Sequence, residues 1–181
     1  MLKTETVFDI VHPAYSVRRL SFEDIGAIQG LFEKSLDYML VVDGHAADPD
    51  AVAEEFQSVP PGKLYEDKFV LGIANWQGDL VGLLDTVRWY PAETTWWIDT
   101  LLLVPEARSQ GLGQIVVQAF AEYVRANGCQ AIMLGVVTEN QRAFQFWKRM
   151  GFELARQTEP LQFGNKTQTV SIMRRTLLDA K

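Results

Sequence analysis

The chain has 181 residues, of which 48% are hydrophobic and 22% charged, and its formal net charge is −6. This length fits one well-buried domain, at about 150 residues per domain, and the composition excludes a disordered or fibrous chain. The negative charge disfavours nucleic acid and anionic membrane surfaces as partners, because both bind clusters of Lys and Arg.

The first predicted elements are a strand and a helix. Residues Tyr15 to Leu20 show the alternation of a short strand. Ser21 is a predicted N-cap, and Asp24, three residues on, can answer it as in a capping box. Because an apolar helical rhythm follows, we predict a first helix of about fifteen residues.

A loop, a second helix and a group of strands come next. The stretch V-V-D-G-H-A-A-D-P-D, residues 41–50, has the composition of turns. We predict a mobile loop from Tyr38 to Ala47 and a second helix from Asp48 to about Phe56. From Lys68 onward, three β runs are separated by turns that contain Gly or Pro, which predicts an antiparallel meander. The third strand of this meander includes the hydrophobic run from Ile98 to Val104.

The second half of the chain begins with a predicted crossover. A helix with one apolar face is predicted from Gly111 to Asn127, and an almost wholly apolar strand follows from Ala131 to Val137. Since this helix joins Leu101 to Val104 with the strand that follows it, the two strands should be parallel.

The last predicted elements are a short helix and two strands. The helix runs from about Gln141 to Arg149 and stops at Gly151. Two β runs, Phe152 to Phe163 and Thr167 to Thr176, flank a hairpin turn around Gly164. The complete order of elements predicts a mixed α/β structure built on one sheet.

The cysteine, the histidines and the hydropathy of the chain limit which covalent links, metal sites and cellular locations we expect. The single cysteine, Cys129, excludes an intrachain disulfide and a Cys-based zinc cluster and fits a reducing cytoplasm. The histidines, His12 and His45, are far apart in sequence, so we predict no metal site. The first residues lack the pattern of a signal peptide, and no apolar run reaches about 18 residues. We therefore expect one cytoplasmic domain over residues 1–181, with a core of about 15–176 and no membrane segment.

The most informative stretch lies between the third meander strand and the crossover helix. It reads V-P-E-A-R-S-Q-G-L-G and places Arg108, Gly111 and Gly113 in the spacing R-x-x-G-x-G. A helix N-terminus binds anions because its first N–H groups have no partner in the helix. A Walker loop and a dinucleotide fingerprint both fail, the latter because Val116 stands where Gly or Ala is needed. A glycine-rich loop that only turns tightly remains the alternative.

A second motif follows the next strand, from Asn140 to Phe152, with the pattern N-x-x-A-x-x-F-W-x-x-x-G-F. Together and in this order, the two motifs resemble those of the GCN5-related N-acetyltransferase (GNAT) superfamily, and the resemblance covers most of the chain. It implies the single-domain acyl-CoA N-acyltransferase fold, an α/β architecture. This fold has a mixed, mostly antiparallel sheet flanked by helices, with a splayed pair of parallel strands.

The resemblance also implies that the protein binds acetyl-CoA and transfers its acetyl group to an amine of a small molecule or a peptide. The pyrophosphate would lie on the backbone amides of the first motif, and the pantetheine arm would pair with the third meander strand. No metal is implied, and a homodimer is an expectation of the family. The cofactor-binding residues that the resemblance implies are Leu102, Leu103, Val104, Arg108, Ser109, Gln110, Gly111, Leu112, Gly113, Gln114, Asn140, Phe144 and Trp147.

Trp147 departs from the family pattern, which often has Tyr at this position. An indole N–H can donate a hydrogen bond but cannot protonate a leaving thiolate near neutral pH. Because a CoA thiol is a good leaving group, we expect acetyl transfer to be retained. The alternatives are a non-catalytic acyl-CoA-binding or regulatory module and a purely structural protein. For Phe144, core packing is an equal alternative to contact with the cofactor.

Family members often carry an acidic residue on the third meander strand, and Asp99 is the resulting candidate for the catalytic base. Its neighbours from Trp96 to Ile98 would partly desolvate it. A structural, hydrogen-bonded Asp or a charge that faces the edge of the sheet is the alternative interpretation, and Asp85 and Glu139 are reserve candidates. Cys129 has no His partner, so direct attack of the amine in a ternary complex is expected rather than an acyl-enzyme.

Acceptor recognition is expected from loops around the slot between the parallel strands, since loops on a rigid scaffold commonly carry specificity. The candidates are Tyr38, Asp43 and His45 in the loop between the first two helices and Trp89, Tyr90 and Glu93 in the second turn of the meander.

Overall fold

The computed structural model describes residues 7–10 and 12–177. The helices of this part are α1 (Ile25–Lys34), α2 (Leu36–Val42), α3 (Pro49–Gln57), α4 (Leu112–Ala126) and α5 (Gln141–Arg149). The strands are β1 (Tyr15–Arg19), β2 (Lys68–Asn75), β3 (Leu80–Arg88), β4 (Thr95–Leu103), β5 (Ala131–Val137), β6 (Glu153–Gln157), β7 (Leu161–Phe163), β8 (Lys166–Gln168) and β9 (Val170–Thr176).

Seven of these strands form one sheet in the order β1-β2-β3-β4-β5-β9-β6. β4 and β5 pair in parallel, and the other neighbouring strands of this sheet pair antiparallel. The predicted meander and the predicted parallel pair are both confirmed. α4 packs on the sheet through its apolar face, where Val116, Val117, Phe120 and Val124 are fully buried.

The first helical region differs from its prediction. The Ser21 and Asp24 capping box is present, and the predicted first helix is present as one 3-10 turn, Phe22–Asp24, that continues into α1 and ends at Lys34. The predicted loop from Tyr38 is wrong over its first residues, because they belong to α2, which begins at Leu36. The physical reason is burial of Met39 in this short helix, with the turn chemistry starting only at Asp43.

The last two predicted strands are each divided in two by the structure. The first run breaks before Pro160, which cannot donate to a strand ladder, and it becomes β6 and β7. The second becomes β8 and β9. The hairpin turn at Gly164 is confirmed, but it joins β7 to β8, which pair with each other outside the main sheet.

A β-bulge in β4 shapes the centre of the sheet. Asp85 of β3 pairs with Thr100, and the next residue of β3, Thr86, pairs with Ile98, so Asp99 is the extra residue of the bulge. Parallel pairing of β4 with β5 runs from Thr95 to Ile98 and then stops, although both strands continue. The two strands therefore splay apart from the bulge onward.

A buried ion pair joins β2 and β3 beside this bulge. Nζ of Lys68 lies 3.0 Å from Oδ2 of Asp85, and the two side chains are 2% and 5% exposed. Nζ also donates to the carbonyl oxygen of Ser58 at 2.8 Å.

No helix in the part of the chain described here is long and apolar enough to cross a bilayer.

Candidate active site

A cavity of about 580 Å³ opens where β4 and β5 separate. The two strands contribute Trp97 to Leu101 and Leu134 to Val137 to its lining. α2, the loop after it, α5 and the β7–β8 hairpin supply the other walls. The splay thus produces a space at the middle of the sheet, lined largely by apolar side chains.

The loop before α4 has a backbone suited to anions. Ser109 and Gly111 both adopt left-handed conformations, with φ of +61° and +83°, and successive N–H groups in such turns form an anion-binding concavity. The first bond of the α4 ladder runs from the N–H of Ile115 to the carbonyl oxygen of Gly111 at 3.1 Å. The amides of Leu112 to Gln114 precede that bond and have no acceptor within the helix.

The two glycines of the first motif, Gly111 and Gly113, differ in how strongly their surroundings require glycine. Gly111 faces open space and is required by its φ of +83°. A Cβ on Gly113 would touch the ring of Phe146 at 3.4 Å and Cδ1 of Leu103 at 3.6 Å, which is ordinary van der Waals contact. Only Gly111 is therefore demanded by backbone conformation.

Arg108, predicted to bind the cofactor, is engaged by the protein itself. Its Nε donates to the carbonyl oxygen of Leu103 at 2.7 Å, and its two terminal nitrogens bind the carboxylate of Asp37 on α2. The guanidinium holds the pKa of Asp37 below its usual range, chiefly through these hydrogen bonds. Arg108 thus fixes the loop to the end of β4 and to α2.

Arg142 is a site residue that the sequence reasoning missed. Its Nη2 lies 3.3 Å from Oγ of Ser109, so a guanidinium of α5 stands beside the loop before α4. The signal was present in the sequence, because Arg142 lies within the second motif, two residues after Asn140.

The second motif forms the start of α5. Oδ1 of Asn140 accepts a hydrogen bond from the N–H of Ala143 at 3.0 Å and caps the helix. Asn140 and Trp147 line the cavity, and Trp147 is 6% exposed and packs edge-on against Phe152. Phe144 packs against the core and is not among the lining residues described, which favours the packing interpretation.

The three candidate bases lie in different surroundings. Asp99 lines the cavity, but its side chain is exposed, so the expected desolvation by its neighbours is wrong. The bulge turns it away from the buried face of β4. Asp85 is committed to Lys68 inside the sheet. Glu139 is exposed and binds Lys166 at 2.6 Å. Of the three, Asp99 is the one at the cavity.

Of the six residues predicted to recognise the acceptor, three lie at the cavity and three do not. Those that line it are Tyr38, which belongs to α2, and Asp43 and His45, which follow α2. In the meander turn, Trp89 instead stacks under Arg88, whose Cζ lies 4.3 Å from the ring centroid. The three meander candidates, Trp89, Tyr90 and Glu93, are not among the lining residues of the described chain.

The β7–β8 hairpin supplies a wall that the sequence reasoning did not anticipate. Leu161, Phe163 and Gly164 line the cavity. The sequence offers no local signal for this, because the hairpin reaches a helix more than a hundred residues away, as the bond from Gln168 Nε2 to the carbonyl oxygen of Val42 at 2.6 Å shows. Within the described residues, no group of three or more His, Cys, Asp or Glu side chains is arranged to hold a metal ion.

The chain is similar in sequence to known N-acetyltransferases. A model of the acetyltransferase (GNAT) family matches residues 30–152, more than half of the chain. A protein of Methanocaldococcus jannaschii, named as an uncharacterised N-acetyltransferase, is 34% identical over 56 residues, which is 31% of this chain and 25% of that protein. The match therefore spans a quarter of that relative's length.

Two solved structures have the same fold over nearly their whole length. An acetyltransferase from Thermus thermophilus superposes with a TM-score of 0.72 at 19% identity, covering 93% of this chain and 99% of that one. Spermidine N-acetyltransferase from Vibrio cholerae, in complex with CoA and spermine, superposes with a TM-score of 0.69 at 16% identity, covering 92% and 97%.

Proposed function

This chain belongs to the acetyltransferase (GNAT) family, and from that membership we propose that it transfers an acetyl group from acetyl-CoA to an amine of a small molecule or a peptide. The observation that carries the proposal is the continuity of three features. A loop with left-handed residues leads from the end of β4 into α4, β4 and β5 stop pairing after Ile98, and residues of both strands from that point onward line the cavity.

Acetyl-CoA fits the loop and the slot in chemistry. The outward amides of Leu112 to Gln114 and the positive end of the α4 dipole favour a pyrophosphate. Open space at Gly111 permits close approach of the backbone. Arg142 adds a positive charge beside Ser109, and Arg108 acts by holding the loop in place. When bound, acetyl-CoA supplies the activated acyl group.

The reaction balances with one proton released. A C–N bond forms between the amine and the acetyl carbonyl carbon, and the C–S bond of the thioester breaks. An ammonium acceptor loses two protons: the first is removed before attack and passes to solvent, and the second is matched by the proton that the departing sulfur takes up. We assign Asp99 as the group that accepts the first proton, directly or through water, because among the lining carboxylates it is the one on β4, at the point where β4 and β5 separate.

A direct attack in a ternary complex is favoured over an acyl-cysteine. The thiol of Cys129 is 5% exposed, and burial raises its pKa. Cys129 is also not among the lining residues of the cavity. Only a thiolate at the acyl group would form a covalent intermediate, and this position supplies none.

Thiol release from acetyl-CoA with a panel of amines tests the proposal. We expect saturable release with at least one amine, and we expect Asp99→Asn to lower kcat by about a hundredfold, with the affinity for acetyl-CoA unchanged. Asp9→Asn, at an exposed position away from the cavity, is the matched control. Tight binding of acetyl-CoA without release by any amine would favour the non-catalytic module instead.

Trp147→Tyr examines whether a missing acid limits turnover. A well-placed general acid is worth about 10²-fold or more, but the CoA thiol leaves readily, with a pKa of about 8.5 by analogy with Cys. We therefore expect Trp147→Tyr and Trp147→Phe to give the same kcat within about threefold, measured as thiol release under saturation. A hundredfold advantage of the Tyr variant over the Phe variant would show instead that protonation of the thiolate is limiting.

A further inference from the structure

We infer that the acceptor is a small amine that carries a second positive charge and no carboxylate, such as an alkyl diamine, rather than an amino acid or a peptide end. This inference rests on the proposed function and specifies the acceptor half of the same site. It combines two independent observations, the wall that the β7–β8 hairpin adds to the cavity through its contact with α2 and the sign of the charges that line the cavity.

The hairpin contacts α2 and the loop after it along one wall of the cavity. The N–H of Asn165 donates to the carbonyl oxygen of Asp43 at 2.7 Å. Nε2 of Gln168 donates to the carbonyl oxygens of Val41 and Val42 at 3.1 and 2.6 Å. These bonds join two segments that both line the cavity, so the wall has no gap between α2 and the hairpin.

The fit at the hairpin tip is close. A Cβ on Gly164 would lie 2.6 Å from the carbonyl oxygen of Asp43 and 2.6 Å from Nε2 of His45. Gly164 is the residue that allows the hairpin to approach the loop to this distance, and its φ of +48° suits a glycine. The contact between the hairpin and the loop after α2 is therefore built into the packing, and a cavity of about 580 Å³ suits a small molecule.

The charged side chains around the cavity have one sign. Asp43, Asp48 and Asp99 line it, and among the described lining residues there is no Lys or Arg, His45 being the one basic side chain. The cations nearby are already engaged: Arg108 with Asp37, and Lys166 with Glu139. An acceptor with a carboxylate would meet three negative charges and no cation to neutralise it.

Asp43 is the residue placed to hold the second charge. Desolvation raises the pKa of its carboxyl, and His45 offsets this only in part. An ammonium group bound beside Asp43 would relieve that desolvation, since an opposite charge favours the ionised form. Asp48 is exposed and caps α3 through the N–H of Asp50 at 2.8 Å, and Asp99 serves the reacting nitrogen.

The remaining walls are apolar, with Phe32, Met39, Val42 and Phe163 among the lining side chains. They match a chain of methylene groups between two nitrogens, one that reacts near Asp99 and one that stays charged near Asp43. Apolar lining with a few placed polar groups is the usual composition of a small-molecule site.

The test uses thiol release with matched acceptors. We expect 1,5-diaminopentane to exceed pentylamine in kcat/KM by about tenfold or more, and lysinamide to exceed lysine by a similar factor. Asp43→Asn should raise KM for the diamine about tenfold with little change in kcat, and should remove most of the advantage of the diamine over pentylamine. Asp43→Glu should retain most of the preference, and Asp9→Asn all of it.

The thermal stability of Asp43→Asn and the set of amines that release thiol separate a failure of this inference from a failure of the proposed function. Because ionised Asp43 is desolvated, Asp43→Asn should unfold at a temperature no lower than that of the parent protein. The inference would be overturned, while the proposed function stood, by either of two results. One is a kcat/KM for lysine or a short peptide equal to that for the diamine, and the other is an unchanged KM for the diamine in Asp43→Asn. If no amine released thiol, the proposed function and the inference would fail together.

Discussion

Lys68→Met is expected to lower the free energy of unfolding by about 3–5 kcal/mol, because it leaves the carboxylate of Asp85 buried without its cation. The pair is well shielded from water, with side chains 2% and 5% exposed and a 3.0 Å contact. The substitution also removes the hydrogen bond to the carbonyl oxygen of Ser58. Denaturation in urea, followed by circular dichroism, measures the loss.

Two further variants identify the cause. Lys68→Met combined with Asp85→Val should recover most of the stability, since a buried ion pair can often be replaced by apolar side chains at little cost. Arg18→Gln breaks the more exposed pair between Arg18 and Asp24 and should cost no more than about 1 kcal/mol. A loss of that small size for Lys68→Met would contradict our interpretation of the pair.

Gly111→Val should weaken binding of acetyl-CoA by about tenfold or more. A left-handed conformation costs an ordinary residue about 1–2 kcal/mol, and a β-branched residue is poorly suited to a φ of +83°. Relief of this strain requires the loop to shift, which displaces the amides that would hold the pyrophosphate. Titration calorimetry with acetyl-CoA gives the change in Kd.

Gly62→Val is the matched control for this experiment. Gly62 has a φ of +81° and, like Gly111, no neighbouring atom within 4 Å of the position that a Cβ would take. It therefore carries the same backbone strain at a turn that does not line the cavity. Both variants should lose similar stability, and only Gly111→Val should lose affinity. Equal affinities in the two variants would refute the assignment of the loop.

The parts of the fold set by local chemistry were predictable from the sequence. The capping box at Ser21, the three strands of the meander and the crossover through α4 depend on near neighbours and on periodicity, and the structure has them. The separate helix α2 was not predictable, because the turn residues after Val42 predict a loop, whereas α2 depends on the burial of Met39 and on contacts with distant parts of the chain.

Within the candidate site, the conformation of the loop before α4 was predictable from the sequence, and the walls of the cavity were less so. The loop around Gly111 is continuous in sequence, so its backbone role follows from spacing. The bulge at Asp99 depends on the register of β3 against β4, and the wall made by Phe163 depends on a contact between distant segments. Neither register nor distant contact is encoded in a short stretch of residues.

α2 has seven residues, fewer than the roughly 12–15 that an isolated helix needs to be even marginally stable in water. Its placement therefore depends on the groups that hold it: Arg108 of the loop before α4 at Asp37, and Gln168 of β8 at Val41 and Val42. The helix that forms one side of the cavity is thus stabilised by its neighbours, and they set its local unfolding free energy. Its amide protons should report, by their exchange with solvent, how firmly the loop and the hairpin are held.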